Sequence, residues 1–314
     1  KEVAIEINPR TVSPEKLRFL RELGFNRVSF GVQDVDPKVQ EAIKRRQSAE
    51  MTEETYRCAQ DLGFEGINLD LIYGLPYQTR ESFSRTVETI LTMRPDRIAL
   101  FSYAKVPWLK PHQKAIKDET LPSTEEKFAI YESARQAFIE NGYVAIGMDH
   151  FALESDEMAR AYRDKTLRRN FQGYTVQHAE DSIGFGITAI GYLEKSHFQN
   201  LKALDPYYAA IDREELPICR GLILSKEDRI RKWVIHTLMC TFEIDKAEFA
   251  HKFGLNFDHH FAEELKRVDE QLIRLTPSKL IATPLGELFI RNAAMVFDDY
   301  LNNKTTQPQF SQSI

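Results

Sequence analysis

The chain has 314 residues, of which 42% are hydrophobic and 28% are charged, and its formal net charge is −5. These values are typical of a globular protein long enough for two domains. The negative charge disfavours general binding to nucleic acid or to an anionic membrane, because both require a basic surface. No apolar run approaches the ~20 residues that cross a bilayer, and no signal peptide is recognisable.

The elements of the first half alternate between short apolar strands and amphipathic helices, which predicts repeated βα units and a parallel sheet. The predicted strands are Val3–Ile7, Val28–Gln33, Ile67–Ile72, Arg97–Tyr103 and Val144–Met148. The predicted helices are Pro14–Leu23, about 37–46, Thr52–Leu62, Glu81–Met93 and Glu125–Asn141. The first strand pattern begins almost at Lys1, so we interpret the chain as a fragment of a longer protein.

One face of these strands is unusually polar. Period-two alternation places the apolar residues on one side and Glu6, Ser29, Gln33, Asn68 and Asp70 on the other. Both faces of a parallel sheet are usually apolar, so a polar inner face predicts an interior filled by water or ligand. The alternative is that Glu6, Asn68 and Asp70 only pair with one another or with nearby arginines.

From about residue 220 onwards the predicted secondary structure changes from alternating strands and helices to helices joined by short connections. Ser225 is the expected N-cap of a helix that runs through Met239, and 262–275 is predicted to be another helix. A short extended segment follows, so we expect a winged-helix-like module. The candidate recognition helix, 258–272, is rich in Asp and Glu. A packing or lid domain is therefore favoured over a DNA-binding one.

The three cysteines are widely scattered, and they match neither a disulfide framework nor a metal-ligand spacing. They are Cys58, Cys219 and Cys240. We interpret them as buried structural thiols, and we expect a cytoplasmic protein whose metal ligands are not in this chain.

Motifs along nearly the whole chain resemble those of the oxygen-independent coproporphyrinogen III oxidases, which belong to the radical S-adenosylmethionine (SAM) superfamily. The matching segments are 5–10, 24–34, 68–76, 96–98, 102–104, 147–152, 169–175, 220–221, 238–240 and 309–314. The resemblance implies an α/β fold, with a partial TIM-like radical SAM barrel in 1–215 and a small, mostly helical, winged-helix-like domain in 216–314. The C-x-x-x-C-x-x-C loop of the family, which holds an iron–sulfur cluster, is not among these segments, nor are the first strands of the barrel.

The activity that the resemblance implies is oxygen-independent conversion of coproporphyrinogen III to protoporphyrinogen IX in haem biosynthesis. Two propionate side chains become vinyl groups, through a 5′-deoxyadenosyl radical derived from SAM. The implied cofactors are one or two SAM molecules and one 4Fe-4S cluster, whose ligands would lie upstream. A separate electron donor and acceptor are also implied. We expect a cytoplasmic monomer without nucleic acid or a membrane span, and the fragment alone is expected to be inactive.

The same resemblance assigns candidate residues to these ligands. SAM at the cluster would be contacted by Glu6 and Ile190. A second SAM would be surrounded by Gln33, Arg45, Asp70 and Ala104.

Other candidates follow from side-chain chemistry. Arginines at Arg10, Arg168 and Arg169 could bind the substrate carboxylates. Asp149 and His150 are catalytic candidates, although a lone histidine after a strand is more often structural. Two other functions stay open at this point: a haem chaperone of the same superfamily and a non-enzymatic winged-helix binding protein.

Overall fold

The computed structural model describes residues 1–302. The chain divides at Arg160/Ala161 into two compact units, which are 1–160 and 161–302 in the described part of the chain. Among the described residues, no helix combines the length and the apolar character needed to span a membrane. The division expected at 215/216 stays a prediction.

The first unit contains a six-stranded sheet with helices on its apolar face. Its strands are β1 (Ala4–Ile7), β2 (Arg27–Gln33), β3 (Gly66–Tyr73), β4 (Arg97–Ser102), β5 (Tyr143–Ile146) and β6 (His150–Leu153). Its helices are α1 (Pro14–Glu22), α2 (Pro37–Ala42), α3 (Ala49–Asp61), α4 (Arg80–Met93), α5 (Thr124–Glu140) and α6 (Glu157–Arg163), the last of which crosses into the second unit. Short 3₁₀ segments occur at Pro9–Thr11, Pro111–Ala115 and Asp118–Thr120.

The strand order is β1-β2-β3-β4-β6-β5, and β1 to β4 are parallel as predicted. The last two strands differ from the prediction, because β6 is antiparallel to both β4 and β5. A tight turn at Gly147, with φ of 63°, reverses the chain between β5 and β6. This hairpin ends the predicted strand 144–148 at Ile146 and makes His150 the first residue of a new strand.

The predicted division of the strand faces is confirmed. On β2 the side chains of Val28, Phe30 and Val32 are buried, whereas the residues between them are only half-buried. The same alternation recurs on β3, where Leu69 and Leu71 are fully buried. On β2 and β3 the apolar face therefore forms the core with the helices, and the other face carries the polar residues.

Within 161–302, the second unit contains three small sheets, the long helix α8 and several shorter helices. Its strands are β7 (Arg168–Arg169), β8 (Tyr174–Thr175), β9 (Ile190–Leu193), β10 (Ser196–Asn200), β11 (Ile218–Ile223), β12 (Glu243–Asp245), β13 (Ile273–Leu275) and β14 (Lys279–Ala282). Its helices are α7 (Leu204–Asp212), α8 (Lys226–Thr241), α9 (Lys246–Phe253), α10 (Phe257–His260), α11 (Ala262–Leu265), α12 (Pro284–Leu288), α13 (Ile290–Met295) and α14 (Asp299–Asn302). The sheets have the orders β7-β8, β11-β10-β9 and β12-β14-β13.

The start of α8 agrees with the sequence, since Ser225 caps it in a capping box with Asp228. The continuous helix predicted for 262–275 is wrong. The helix ends at Leu265, and Ile273–Leu275 pairs with β14 instead. Pairing of β13 with β14, and packing of Phe257 on α10 against Phe261 between α10 and α11, override the helical propensity of this segment.

Only one cysteine is buried as predicted, namely Cys240. Cys58 is partly buried, and Cys219 is exposed because it lies on β11, all of whose residues are exposed.

An aromatic cluster forms the core of the second unit around Phe261, which is 0% exposed. Its ring centroid lies 5.1 Å from that of Phe257, 5.2 Å from Phe297 and 5.8 Å from Phe249. We expect Phe261→Ala to lower the free energy of unfolding by about 3–5 kcal/mol, because it leaves a cavity among rigid rings. Urea unfolding measures this change. The matched control is Phe185→Ala, which removes a ring that is 87% exposed. Equal losses in the two variants would contradict the assignment of the core.

Candidate functional site

A hydrogen-bonded cluster lies on the polar face, where β2 and β3 run side by side. Ser29 is paired in register with Asn68, and Gly31 is paired with Asp70, so their side chains share this face. Ser29 Oγ donates to Asp70 Oδ2 at 3.1 Å, and Asn68 Nδ2 donates to Asp70 Oδ1 at 2.7 Å. The alternative interpretation, in which polar side chains of this face pair with one another, therefore applies to Asn68 and Asp70.

The pKa of the Asp70 carboxyl is affected by burial, by hydrogen bonds and by two nearby titratable groups. Burial raises its pKa, whereas the hydrogen bonds from Ser29 and Asn68 lower it. The negative charge of Glu6 raises the pKa further, and His150 lowers it. Glu6 on β1 and His150 on β6 are therefore close enough to Asp70 on β3 to affect its pKa. A ligand group that donates to Asp70, such as an ammonium or a hydroxyl, would offset the cost of its burial.

Pairing within the cluster is incomplete. Four of the buried polar atoms around it have no hydrogen-bond partner among residues 1–302, and they are Gln33 Oε1, Arg45 Nε, Asn68 Oδ1 and Tyr103 OH. An unpaired buried polar group costs about 1–3 kcal/mol. Donors and acceptors are both represented, and they come from the last residue of β2, from β3, and from the segments that follow α2 and β4. The set therefore suits a polar ligand that can both donate and accept.

Gln33 and Arg45 meet above Gly31. Arg45 Nη2 donates to the carbonyl oxygen of Gly31. A Cβ atom on Gly31 would lie 2.7 Å from Gln33 Nε2 and 3.1 Å from Arg45 Nη2. Burial lowers the pKa of Arg45, Arg10 lowers it further, and Asp70 opposes the change. Because Gly31 has no side chain, there is room for both polar groups beside it. Arg10 and Asp70 are both close enough to the Arg45 guanidinium to affect its pKa.

The segment after β4 is fixed by its own hydrogen bonds. Gln113 Nε2 donates to the carbonyl oxygen of Ala104 at 3.0 Å, and Gln113 Oε1 accepts from the amide of Val106 at 2.6 Å. Lys127 Nζ donates to the carbonyl oxygen of Tyr103 at 3.1 Å, and burial lowers the pKa of this lysine. Ala104 therefore lies in an ordered turn beside the unpaired hydroxyl of Tyr103.

The two catalytic candidates contact each other directly. His150 Nδ1 donates to Asp149 Oδ1 at 2.6 Å, and the edge of the His150 ring packs against Phe101 at a centroid distance of 5.9 Å. Asp149 thus fixes the orientation of the imidazole on the polar face. Their catalytic role stays a prediction.

The remaining candidates belong to the second unit, and each is described in its own surroundings. Arg168 is exposed on β7. The guanidinium of Arg169 stacks on the ring of Tyr174 at 4.8 Å, and its buried Nη1 has no hydrogen-bond partner in the described part of the chain. Ile190 begins β9. An arginine with an unpaired buried nitrogen is suited to binding a carboxylate.

No group of three or more His, Cys, Asp and Glu side chains within 1–302 is placed to hold a metal ion. The described residues therefore provide no ligand set for an iron–sulfur cluster.

Sequence reasoning gave no individual role to Asp34 or Lys127, although Asp34 lies inside a matching segment. Asp34 is 0% exposed, and its carboxylate accepts three hydrogen bonds. A buried aspartate directly after a strand of polar face residues is the signal that could have identified it.

Two family models match the chain. The model described as the radical SAM superfamily matches residues 1–90, and the model described as the HemN C-terminal domain matches residues 224–289.

Three relatives are named oxygen-independent coproporphyrinogen III oxidase. The protein of Synechocystis sp. is 45% identical over 100% of this chain and 69% of its own length. That of Thermostichus vulcanus is 43% identical, with coverage of 100% and 98%. That of Escherichia coli is 40% identical, with coverage of 100% and 69%.

A solved structure is similar throughout. It is described as coproporphyrinogen III oxidase (HemN) from Escherichia coli, a radical SAM enzyme, and it superposes with a TM-score of 0.92 at 40% identity. The match covers 95% of this chain and 70% of that chain.

Proposed function

We propose that this chain, which belongs to the oxygen-independent coproporphyrinogen III oxidase family of the radical SAM superfamily, acts in the conversion of coproporphyrinogen III to protoporphyrinogen IX. The family and the fold expected from the motifs are confirmed by these matches. Membership of this family implies a radical SAM oxidoreductase that uses SAM and a 4Fe-4S cluster. The observation that carries the proposal is the group of unpaired polar atoms around Asp70, in a chain 40% identical to the enzyme of Escherichia coli.

The polar face of the first unit fits SAM. Asp70 can accept from a ribose hydroxyl or from the ammonium group, and Arg45 can bind the carboxylate. Gln33 Oε1 and Tyr103 OH are further unpaired groups for a polar ligand. SAM held by these residues would supply the radical needed to remove a hydrogen atom from a propionate side chain. We assign Glu6 and Ile190 to one SAM, and Gln33, Arg45, Asp70 and Ala104 to a second.

The 4Fe-4S cluster does not fit residues 1–302, since no suitable group of ligands occurs there. We propose that its ligands come from other residues of the protein. An electron donor and an electron acceptor would be separate molecules. Three unpaired cysteines suit a reducing compartment, so we propose a cytoplasmic enzyme, which acts as a monomer.

The substrate carries four carboxylates, and arginines are their natural partners. We propose Arg10, Arg168 and Arg169 for this role, with the unpaired Nη1 of Arg169 as the strongest candidate atom. The bond from His150 to Asp149 holds the imidazole in one orientation, so the pair can position or protonate a polar group beside it.

The two other functions are not favoured. The relatives above are named as oxidases and not as haem chaperones. The first turns of α10 and α11 carry the acidic side chains of Asp258 and Glu263, which would repel DNA.

Complementation tests the proposed function. The protein in its full encoded length is expressed in a bacterial strain that lacks its own oxygen-independent oxidase and is grown anaerobically without haem. We expect growth, and no growth from an Asp70→Asn variant of equal abundance. Accumulation of coproporphyrin in cells that contain the folded wild-type protein would contradict the proposal.

SAM binding is expected to depend on pH through Asp70. The pKa of this carboxyl is raised above the usual value, mainly by burial, so it becomes protonated at a higher pH than an ordinary aspartate. As pH falls from neutrality, Asp70 loses its charge and SAM affinity decreases. Titration calorimetry across this range measures the change.

Folding stability responds to Asp70 with the opposite sign. Because the pKa is higher in the folded state, protonation of Asp70 stabilises the folded chain, and this contribution is lost as pH rises through that pKa. Asp70→Asn is the control for both pH dependences. Its SAM affinity, although weaker, should not decrease as pH falls, and its folding stability should lack the contribution that the wild type loses as pH rises. If the variant and the wild type showed identical pH profiles of SAM affinity and of stability, Asp70 would be excluded as the titrating group.

A further inference from the structure

We propose that Asp34 is a positioning residue, which holds Gln33, Arg45 and the carboxyl end of β3 in the arrangement that binds the adenosyl ligand. This inference rests on the proposed function, because it concerns the same polar face. Asp34 itself is 0% exposed and lies beneath that face, so it acts through its neighbours and does not touch the ligand.

The first carboxylate oxygen of Asp34 joins β2 to two helices. Oδ1 accepts from Thr86 Oγ1 on α4 at 2.6 Å. The same atom accepts from the backbone amide of Asp36, which caps α2, at 2.9 Å. The direction in which the chain leaves β2 is therefore fixed by two donors on one oxygen.

The second carboxylate oxygen of Asp34 is linked to β3 through the side chain of Gln78. Oδ2 accepts from Gln78 Nε2 at 2.6 Å. Gln78 Nε2 also donates to the carbonyl oxygen of Ile72 at 2.8 Å, and its Oε1 accepts from the amide of Leu75 at 2.8 Å. Gln78 thus fastens the carboxyl end of β3, two residues after Asp70, to the carboxylate of Asp34.

The backbone of Asp34 holds the segment that carries Arg45. Its carbonyl oxygen accepts from Gln40 Nε2 at 2.8 Å. Gln40 in turn accepts from the amide of Gln47 through Oε1 at 2.9 Å and from the amide of Arg45 through its own carbonyl oxygen at 2.9 Å. The turn that includes Arg45 is therefore closed against Gln40, which is itself fixed by Asp34.

Gln33 needs this support for its backbone. Its φ of 70° lies in the left-handed region, which a residue with a side chain rarely adopts. Such a conformation persists where surrounding contacts enforce it, and such positions cluster at binding sites. The amide of Asp34 donates to the carbonyl oxygen of Val32 at 2.9 Å, which closes a tight turn around Gln33.

Only a carboxylate satisfies all three donors that meet at Asp34. Burial raises the pKa of Asp34, and the bonds from Asp36, Thr86 and Gln78 oppose that change. An asparagine has the same shape, yet its amide nitrogen would face another donor. Asp34→Asn therefore perturbs the network without changing the packing volume.

The experiment measures SAM binding by titration calorimetry, together with thermal stability, on the protein in its full encoded length. We expect Asp34→Asn to weaken SAM binding about ten-fold or more while the chain stays folded, as loss of a supporting hydrogen-bond partner does around metal sites. The matched control is Asp96→Asn. Asp96 accepts from the amide of Ile67 at 2.8 Å near the other end of β3, so its loss should lower stability and leave SAM affinity unchanged.

A double-mutant cycle separates positioning from general destabilisation. If Asp34 acts through Arg45, then Asp34→Asn should cost much less SAM affinity in an Arg45→Ala background than in the wild type. Full additivity, wild-type affinity in folded Asp34→Asn, or equal losses in Asp34→Asn and Asp96→Asn would each overturn the inference while the proposed function stands. Failure of the wild-type chain to bind SAM would overturn the proposed SAM site and the role of Asp34 with it.

Discussion

Asp70→Asn is expected to weaken SAM binding by about 100-fold, which corresponds to about 2.7 kcal/mol. The carboxylate is half-buried and already accepts from Ser29 and Asn68, so its orientation is fixed before the ligand arrives. A charge-assisted hydrogen bond contributes about 1.5–3 kcal/mol, and the neutral amide cannot replace it. Titration calorimetry with SAM measures the loss directly.

The matched control for Asp70→Asn is Glu157→Gln. Glu157 pairs with Arg27 and with Arg97 at the amino ends of β2 and β4, whereas the proposed ligand groups of Gln33 and Arg45 lie at the carboxyl end of β2 and beyond it. We expect the control to lower thermal stability slightly and to bind SAM as the wild type does. If Asp70→Asn kept its affinity, or if both variants lost it equally, Asp70 would not be a ligand contact.

Gly31→Ala is expected to weaken SAM binding by about ten-fold or more, or about 1.4 kcal/mol, while the fold is kept. The added methyl group would lie 2.7 Å from Gln33 Nε2 and 3.1 Å from Arg45 Nη2, so both side chains must move. Both atoms are ends of flexible side chains, and alanine suits a strand interior at least as well as glycine. We therefore expect a change in stability below about 1 kcal/mol.

Gly66→Ala provides the matched control for Gly31→Ala. A methyl group on Gly66 would overlap Arg27 Nη1 at the start of β3, so it also displaces an arginine side chain within the same sheet. We expect unchanged SAM affinity in this variant. Loss of SAM binding in Gly66→Ala, or its retention in Gly31→Ala, would show that Gln33 and Arg45 do not form the site.

The polar face could be predicted from the sequence because period-two alternation is a local property of a strand. The alternation places Ser29, Asn68 and Asp70 on one side of their strands, and the register of β2 and β3 confirms that they meet. The N-cap of α8 at Ser225 was predictable for the same reason, since a cap depends on only a few neighbouring residues.

Features that depend on distant residues were not predictable. The antiparallel direction of β6 follows from the turn at Gly147, and the strand at Ile273–Leu275 forms because β14 is available as a partner. The role of Asp34 depends on Gln78 and Thr86, which are 44 and 52 residues away. Pairings at such separations are set by the tertiary fold, and no local pattern records them.

The most direct test of the proposed function is product analysis with the protein in its full encoded length. The protein is reconstituted anaerobically with iron and sulfide, and SAM, a reductant, an electron acceptor and coproporphyrinogen III are added. We expect protoporphyrinogen IX and 5′-deoxyadenosine to appear together, and both to be lost in Asp70→Asn. SAM cleavage without any decarboxylation, from a protein with a complete cluster, would contradict the proposed function.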